Sequence, residues 1–162
     1  MSTTGEDVWV RAQEVLPTLS NVHSFVSGDG LPRIKPEYFF RASDRKVRGN
    51  LWFGPGAEGM PEYVHGAAIA GVLDEGLGLL AWYLGYRVAT RDLSVQYHRF
   101  VPTHAHALIE GQLEDELGWL VRGRATLTDD AGEIYAVGKA AFVELKPAVV
   151  EELARRNAAR SA

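Results

Sequence analysis

The stretch at residues 65–84, "HGAAIAGVLDEGLGLLAWYL", constrains the fold more than any other part of the chain. It contains no proline, and apolar residues occupy every side of the helix that it would form, which is typical of a helix buried nearly all round. Such a helix needs a large apolar surface from the rest of the chain to cover it. Its only charged residues are Asp74 and Glu75. The sequence therefore predicts a carboxylate pair on the central helix of the fold.

The residues after Gly85 supply the covering surface. Apolar residues recur there with the two-residue period of a strand, and "EDELG" and "DDAG" are hairpin signals. The predicted strands are 88–101, 105–113, 117–128 and 133–145, preceded by one or two strands within 38–53. This order predicts the α+β class, with a curved antiparallel sheet wrapped around one long helix. Because an open sheet edge is commonly covered by a second copy, we expect a homodimer.

Both ends of the chain are predicted to be additions to this core. Residues 5–16 have the spacing of an amphipathic helix that Pro17 stops, whereas 18–36 are rich in turn residues and are assigned to no element. Residues 147–160 indicate a charged helix with Pro147 in its first turn. We divide the chain into an N-terminal extension (1–36), a core domain (37–146) and a C-terminal helix (147–162).

Charge and composition exclude several classes of function. The 162 residues carry a formal net charge of −4 and no basic stripe, so we expect no nucleic-acid partner. Without cysteine there is no disulfide, no cysteine-based zinc site and no thiol nucleophile. The start "MSTTGEDVWV" lacks the features of a signal peptide, and the acid pair interrupts the most apolar run. We expect a cytoplasmic protein that does not cross a membrane.

Three segments carry a pattern beyond secondary structure. The segment "HGAAIAGVLDEGLG" has a His-Gly pair with an acid nine residues after the histidine, "TRDLSVQYHRFV" is a Thr-x-x-Leu-x-Val-x-Tyr-x-Arg strand, and "GRATLTDDAGEIYAVGKAAF" is a closing hairpin. In this order, over residues 54–145, they resemble the hotdog-fold acyl-CoA thioesterases, in particular the branch of phenylacetyl-CoA thioesterases and mammalian thioesterase superfamily members. The resemblance implies hydrolysis of an acyl-CoA to a free acid and coenzyme A by a homodimer or a dimer of dimers. It implies no cofactor, since coenzyme A is part of the substrate.

The chain departs from this family pattern at three places. Ala67 replaces the second glycine of the His-Gly-Gly motif, and Phe100-Val101 replaces the usual proline after Arg99. A glycine-rich loop occupies the position where some relatives carry an oxyanion-binding asparagine. The oxyanion hole is therefore expected to use backbone N–H groups alone.

Asp74 and Gly66 are the predicted centre of the chemistry. A carboxylate among apolar residues is poorly solvated and therefore a stronger base, so we expect Asp74 to act as general base or nucleophile. Gly66, at the start of the helix, offers an unpaired backbone N–H to an oxyanion. The two residues are eight positions apart, which corresponds to about 12 Å along a helix axis and is too far for one helix to aim both at one carbonyl carbon. We expect the two groups to meet across a two-fold interface, one from each subunit.

Further site residues follow from the resemblance. It places Thr90 where related enzymes hold the attacking water with a hydroxyl. It also implies side chains that contact coenzyme A, namely Gln96, His98 and Arg99. Arg99, together with Arg122 or Arg124, could pair with its phosphates.

Other polar residues have competing interpretations. His65 is a candidate general base, although a histidine before a buried helix more often fixes the loop by hydrogen bonding. Glu75 competes with Asp74 for the catalytic role but points about 100° away around the helix. His104 and His106 are predicted to be a surface pair on one strand face, and no metal site is expected.

Two other functions fit the fold. A hotdog enoyl-CoA hydratase usually carries an aspartate followed five residues later by a histidine, and no Asp-x-x-x-x-His occurs in this chain. A non-catalytic acyl-CoA-binding module is disfavoured because Asp74, Gly66 and Thr90 are all present. The sequence leaves the acyl group and a role in fatty acid metabolism open, and coenzyme A is preferred to an acidic carrier protein because the net charge is negative.

Overall fold

The computed structural model describes residues 7–16 and 33–160. The strands are β1 (Val10–Arg11), β2 (Ile34–Arg41), β3 (Lys46–Phe53), β4 (Val88–Tyr97), β5 (His106–Leu117), β6 (Leu120–Thr128) and β7 (Ile134–Glu144), and the helices are α1 (Ala12–Val15), α2 (Gly66–Tyr83) and α3 (Pro147–Arg160). All strand pairs are antiparallel, and the sheet order is β1-β2-β3-β5-β6-β7-β4. Helix α2 packs against strands β2 to β7. The predicted α+β hotdog architecture is confirmed, with β4 at one edge of the sheet.

The long helix begins and ends where the sequence predicts. His65 is its N-cap, in an extended conformation, and its imidazole accepts a hydrogen bond from the Ala67 N–H. The helix ends at Tyr83, and Gly85 follows with a φ of 96°, a left-handed conformation that a side chain would strain. Both ends are therefore set by local sequence.

Small residues of the sheet let α2 approach it closely. A Cβ added to Gly138 would lie 3.2 Å from Leu73, and a Cβ added to Gly111 or Gly123 would lie 3.1 Å from Leu77. Leu73 and Leu77 are fully buried in these positions. The glycines in the strands thus seat the helix, and the turn that carries Asp74 is fixed relative to the sheet.

The prediction of a helix over residues 5–16 is wrong in part. Val10 and Arg11 form a short strand that pairs with Phe40 and Phe39 of β2, and the helix is limited to α1. Two guanidinium groups lie close to the Trp9 ring, that of Arg41 at 4.5 Å and that of Arg48 at 4.4 Å from its centroid. Residues 1–6 and 17–32, which include most of the segment left unassigned, lie outside the described residues. Residues 10 and 11 form a strand in spite of the helical spacing of their apolar neighbours, because they pair with the free edge of β2 and because Trp9 contacts two guanidinium groups.

Several predicted boundaries also differ from the structure. Pro36, the predicted end of the N-terminal extension, lies inside β2. In the described part of the chain, strand β1 pairs only with Phe39 and Phe40, so Pro36 lies at an open sheet edge, where a missing backbone N–H is tolerated. Strand β4 ends at Tyr97 rather than at residue 101. Strand β5 continues to Leu117, beyond a register shift, so that the turn falls at Gly118. The sequence cannot locate such a bulge, because it depends on the partner strand.

The C-terminal helix has the predicted bounds, Pro147–Arg160. Its side chains are mostly exposed, but Asn157 reaches a cavity beside α2. None of the helices in the described ranges combines the length and apolar character needed to span a bilayer.

Candidate active site

Asp74 lies half-buried on α2 and accepts a hydrogen bond from Thr90 of β4. The Thr90 hydroxyl donates to Asp74 Oδ1 over 2.8 Å. Thr90 pairs with Phe142 of β7, and the register then skips one residue, so that Asp92 pairs with Ala141. This β-bulge turns the Thr90 side chain toward α2, because one extra residue reverses the alternation of faces along a strand. The bulge therefore assembles a carboxylate–hydroxyl pair between the helix and the edge strand.

This pair opens into a cavity of about 340 Å³, called here the Asp74 cavity. Apolar side chains form most of its wall. The lining residues are Leu16, Asp74, Glu75, Gly78, Leu79, Trp82, Val88, Ala89, Thr90, Phe142 and Asn157. A carboxylate beside a hydroxyl in such a setting can take a proton from water or attack a carbonyl carbon.

Glu75 is held on a different side of the helix. The buried Tyr38 hydroxyl donates to Glu75 Oε2 over 3.1 Å and to the Val72 carbonyl over 3.3 Å. Burial, together with the Glu75 charge, raises the pKa of Tyr38 well above its ordinary value, so the phenol stays protonated as a donor. The adjacent acids thus have separate partners, Asp74 toward β4 and Glu75 toward β2.

The N-terminus of α2 leaves one backbone donor for a ligand. Of its first N–H groups, that of Ala67 donates to His65 Nδ1 over 2.9 Å, and those of Ala68 and Ile69 donate to the His65 carbonyl. The Gly66 N–H has no acceptor within the helix. The structure therefore gives His65 a capping role and leaves the Gly66 N–H available, close to the positive end of the helix dipole.

A second cavity, of about 600 Å³, adjoins this helix end and is called here the Gly66 cavity. Tyr97, the last residue of β4, donates from its hydroxyl to the Gly66 carbonyl over 2.9 Å. The lining residues are Gly59, Met60, Val64, His65, Gly66, Ile69, Tyr97, His98, Arg99, Phe100 and Val101. Each end of β4 is thus bonded to one functional position of α2, the Thr90 end to Asp74 and the Tyr97 end to Gly66.

Arg99 braces one wall of the Gly66 cavity. Its Nη2 forms a 2.9 Å ion pair with Asp129 and donates to the Glu133 carbonyl over 2.7 Å, while its Nε donates to Ile134. The hydrogen bond from Arg99 lowers the pKa of Asp129 below its ordinary range. Arg99 therefore fastens the chain after β4 to the turn between β6 and β7.

The predicted site residues fall into three places. Asp74 and Thr90 line one cavity, whereas Gly66, His65, His98 and Arg99 line the other. Arg124 lies in a groove on the outer face, the side of the sheet turned away from α2. Gln96 pairs with Val137 and alternates with the inward Tyr97, so it faces outward as well. The expected separation of Gly66 and Asp74 is therefore present in the single chain.

The two histidines considered for a metal do not share a strand face. His104 lies in the turn before β5 with a φ of 64°, and His106 is the first residue of β5. The expectation that both lie on one strand was wrong, because His104 donates its N–H to the Phe53 carbonyl and closes the turn.

Sequence reasoning did not place Tyr97 or Gly78 at the cavities that they line. Tyr97 stands within the motif strand but was assigned no contact to Gly66. Gly78 and Trp82 follow Asp74 at four-residue intervals, the spacing of one helix face, and this regular spacing was the available signal.

The architecture is that of the hotdog thioesterases. No protein-family model matches the chain. The resemblance to hotdog acyl-CoA thioesterases is confirmed by curated relatives, including mouse acyl-coenzyme A thioesterase THEM5, 27% identical over 109 residues, and Xenopus laevis THEM4, 28% identical over 115 residues. These matches cover 67% of this chain but 44% and 50% of the relatives, so the chain spans about half their length.

Solved structures agree on the fold. A thioesterase superfamily protein is similar with a TM-score of 0.62 and 27% identity, over 67% of this chain and 53% of its own. A hypothetical thioesterase from Streptococcus pneumoniae, solved with coenzyme A, has a TM-score of 0.66 at 15% identity, over 80% of this chain and 94% of its own. The zebrafish thioesterase superfamily member 2 has a TM-score of 0.64 at 18% identity, over 82% and 99%.

Proposed function

We propose that this protein is an acyl-CoA thioesterase that hydrolyses its substrate to a free carboxylic acid and coenzyme A. The observation that carries the proposal is the hydrogen bond from Thr90 to Asp74 inside a mainly apolar cavity. The curated relatives, which are named acyl-coenzyme A thioesterases, support the same reaction.

In the proposed reaction, water attacks the thioester carbonyl carbon while Asp74 takes its proton. The carbonyl electron pair moves to the oxygen, where the Gly66 N–H stabilises the negative charge. When the tetrahedral intermediate collapses, the carbon–sulfur bond breaks and the proton passes from Asp74 to the departing sulfur. Direct attack by Asp74 would give a mixed anhydride that water opens to the same products. Neither route needs a metal or a further cofactor.

We propose that the working unit is a homodimer that pairs through β4. This strand is a sheet edge, and most of its side chains, including Thr90, are exposed in the single chain. Antiparallel pairing of two β4 strands about an axis between Leu93 and Ser94 would set the Thr90 end of one copy beside the Tyr97 end of the other. Asp74 of one copy would then face Gly66 of the second copy, which completes the base and the oxyanion donor in one site. Assembly into a dimer of dimers stays a prediction.

The coenzyme A part of the substrate is proposed to leave through the Gly66 cavity. His98 and Arg99 lie at this cavity, and an arginine suits phosphate groups. Gln96 and Arg124 lie on the outer face, so their contact with coenzyme A stays a prediction, as does the cytoplasmic location.

Thiol release from a panel of acyl-CoA esters tests the proposal directly. The panel runs from acetyl to palmitoyl and includes phenylacetyl and benzoyl, for wild type and for Asp74→Asn. We expect kcat to fall by about a hundredfold or more in the variant, since a general base contributes at least that factor. Asp115→Asn removes an exposed carboxylate of β5 that lies at neither cavity and outside β4, so it is the matched control and should keep its rate. Binding of acyl-CoA without turnover in the wild type would contradict the proposal and indicate a binding module.

A further inference from the structure

Gly78 and Trp82 line the Asp74 cavity and take no part in the proposed reaction. We propose that they set the size of the acyl group, and that the enzyme takes compact acyl groups, short branched chains or a single ring, and rejects long chains. This inference rests on the proposed thioesterase function.

Gly78 is a glycine that the packing of the single chain does not require. A Cβ added there would meet only the Phe142 ring, at 3.6 Å, an ordinary contact. Gly76 on the same helix differs, because its Cβ would lie 3.2 Å from Ile109 and 3.3 Å from Tyr38. A glycine inside a helix is less stable than alanine, so the close approach of the sheet explains Gly76 but not Gly78.

The missing side chain at Gly78 opens space next to the reacting carbon. Gly78 follows Asp74 by one turn of α2, about 6 Å along the axis, and both line the same cavity. A substrate whose carbonyl lies at Asp74 would therefore place its first acyl carbons over Gly78. This space suits a branch or a ring close to the carbonyl.

Trp82 limits the cavity one turn further along the helix, about 12 Å from Asp74. Its indole is fixed, because Nε1 donates to the Val88 carbonyl over 3.0 Å and the Arg87 guanidinium lies 5.0 Å from the ring centroid. A side chain held from two sides does not move aside easily for a longer ligand.

The volume and the wall of the cavity agree with a compact, apolar group. The volume of about 340 Å³ lies at the small end of the range for ligand pockets. Leu79, Val88 and Phe142 supply apolar surface between Asp74 and Trp82. The acyl part is thus placed in this cavity, while the Gly66 cavity is left for the carrier.

The test compares kcat/KM for acetyl-, isovaleryl-, phenylacetyl-, octanoyl- and palmitoyl-CoA across four variants. For wild type we expect isovaleryl and phenylacetyl to exceed palmitoyl by tenfold or more. Gly78→Ala should lower the phenylacetyl value by about tenfold with little change for acetyl, since one methyl group is worth about that factor in an apolar pocket. The same variant should unfold at a higher temperature, because alanine favours a helix more than glycine does. A lower phenylacetyl value in a more stable protein would then come from reduced cavity space and not from loss of folded protein.

Trp82→Ala should shift the preference toward octanoyl and palmitoyl by about tenfold relative to acetyl. Gly76→Ala and Trp52→Ala are the matched controls. Gly76→Ala makes the same change on the side of α2 that faces the sheet, where its close contacts should lower the unfolding temperature but leave the cavity open. Trp52→Ala removes a tryptophan that lines a groove away from both cavities. Both should keep the wild-type profile. Trp82→Leu, which keeps an apolar side chain, replaces Trp82→Ala if the alanine variant does not fold.

The outcomes separate this inference from the proposed function. If the wild type hydrolyses palmitoyl-CoA as fast as phenylacetyl-CoA, or if Gly78→Ala and Trp82→Leu leave the profile unchanged, the size limit is wrong while the thioesterase function stands. If no ester in the panel is hydrolysed, the proposed function itself is wrong, and the size limit with it.

Discussion

The Asp74 cavity and the Gly66 cavity lie along the same helix but carry complementary chemistry. The first has an acceptor and a hydroxyl in a mainly apolar wall, and the second has a backbone donor at the positive end of α2. Neither contains both the Asp74 carboxylate and the Gly66 backbone donor. In the homodimer proposed above, each chain would supply two half-sites, and the second copy would join them along the edge strand β4, which is bonded to both.

The largest expected effect comes from removing the donor at Gly66. Gly66→Pro deletes the N–H at the first helical position, where proline is tolerated, and His65 already has the extended conformation that precedes a proline. We expect kcat to fall by about 10²–10³-fold, the usual loss for one oxyanion donor. Gly66→Ala adds a Cβ near the Tyr97 ring but keeps the N–H, and it should retain most of the rate. Equal losses in both variants would mean that space, and not the N–H, matters at this position.

Mixing the two defects in one dimer tests whether the half-sites belong together. A heterodimer of Gly66→Pro and Asp74→Asn chains, purified with two tags, has one site with both defects and one site with none. We expect about half of the wild-type activity per dimer, although each parent is nearly inactive. An inactive heterodimer would show that both groups act within a single chain.

Loss of the Thr90 hydroxyl should have an intermediate effect. Thr90→Val keeps the shape but removes the donor to Asp74, and we expect kcat to fall by about tenfold, less than for loss of the base itself. Thr90→Ser keeps a hydroxyl and should restore most of the rate. If serine and valine behave alike, the hydrogen bond of 2.8 Å has no part in turnover.

The smallest effect concerns the brace behind the Gly66 cavity. Because the folded pKa of Asp129 is lowered by Arg99, its ionised form stabilises the fold above its unfolded pKa, and the contribution disappears as the pH falls through the folded value. Asp129→Asn should therefore lower Tm at pH 7, on the order of a degree for an exposed pair. Thermal unfolding of both proteins from pH 7 to pH 2 should show the difference vanish at acidic pH. A difference that persists at pH 2 would exclude this origin.

Much of the fold could be predicted because its signals are local. The helix over α2 follows from apolar residues on all sides with a histidine cap and a closing glycine, and the strands β5 to β7 follow from their two-residue period. The failures lie where a partner decides the outcome. Val10 and Arg11 form a strand because they can pair with the free edge of β2. Strand β5 continues past Leu113 because it still pairs with β6 beyond a bulge, and the position of that bulge depends on β6.

For the site, the sequence by itself determined that Asp74 lies on a central helix. It also determined that Gly66 lies too far along the same helix for both residues to act on one substrate carbonyl. Both follow from the fixed rise of a helix. Only the tertiary structure decided that Thr90 meets Asp74. By simple alternation from Leu93, Val95 and Tyr97, Thr90 would face outward, and it turns inward because β4 gains a residue against β7 at Arg91. The packing of α2 on the sheet likewise distinguished Gly76, which the close contact requires, from Gly78, which leaves the cavity open.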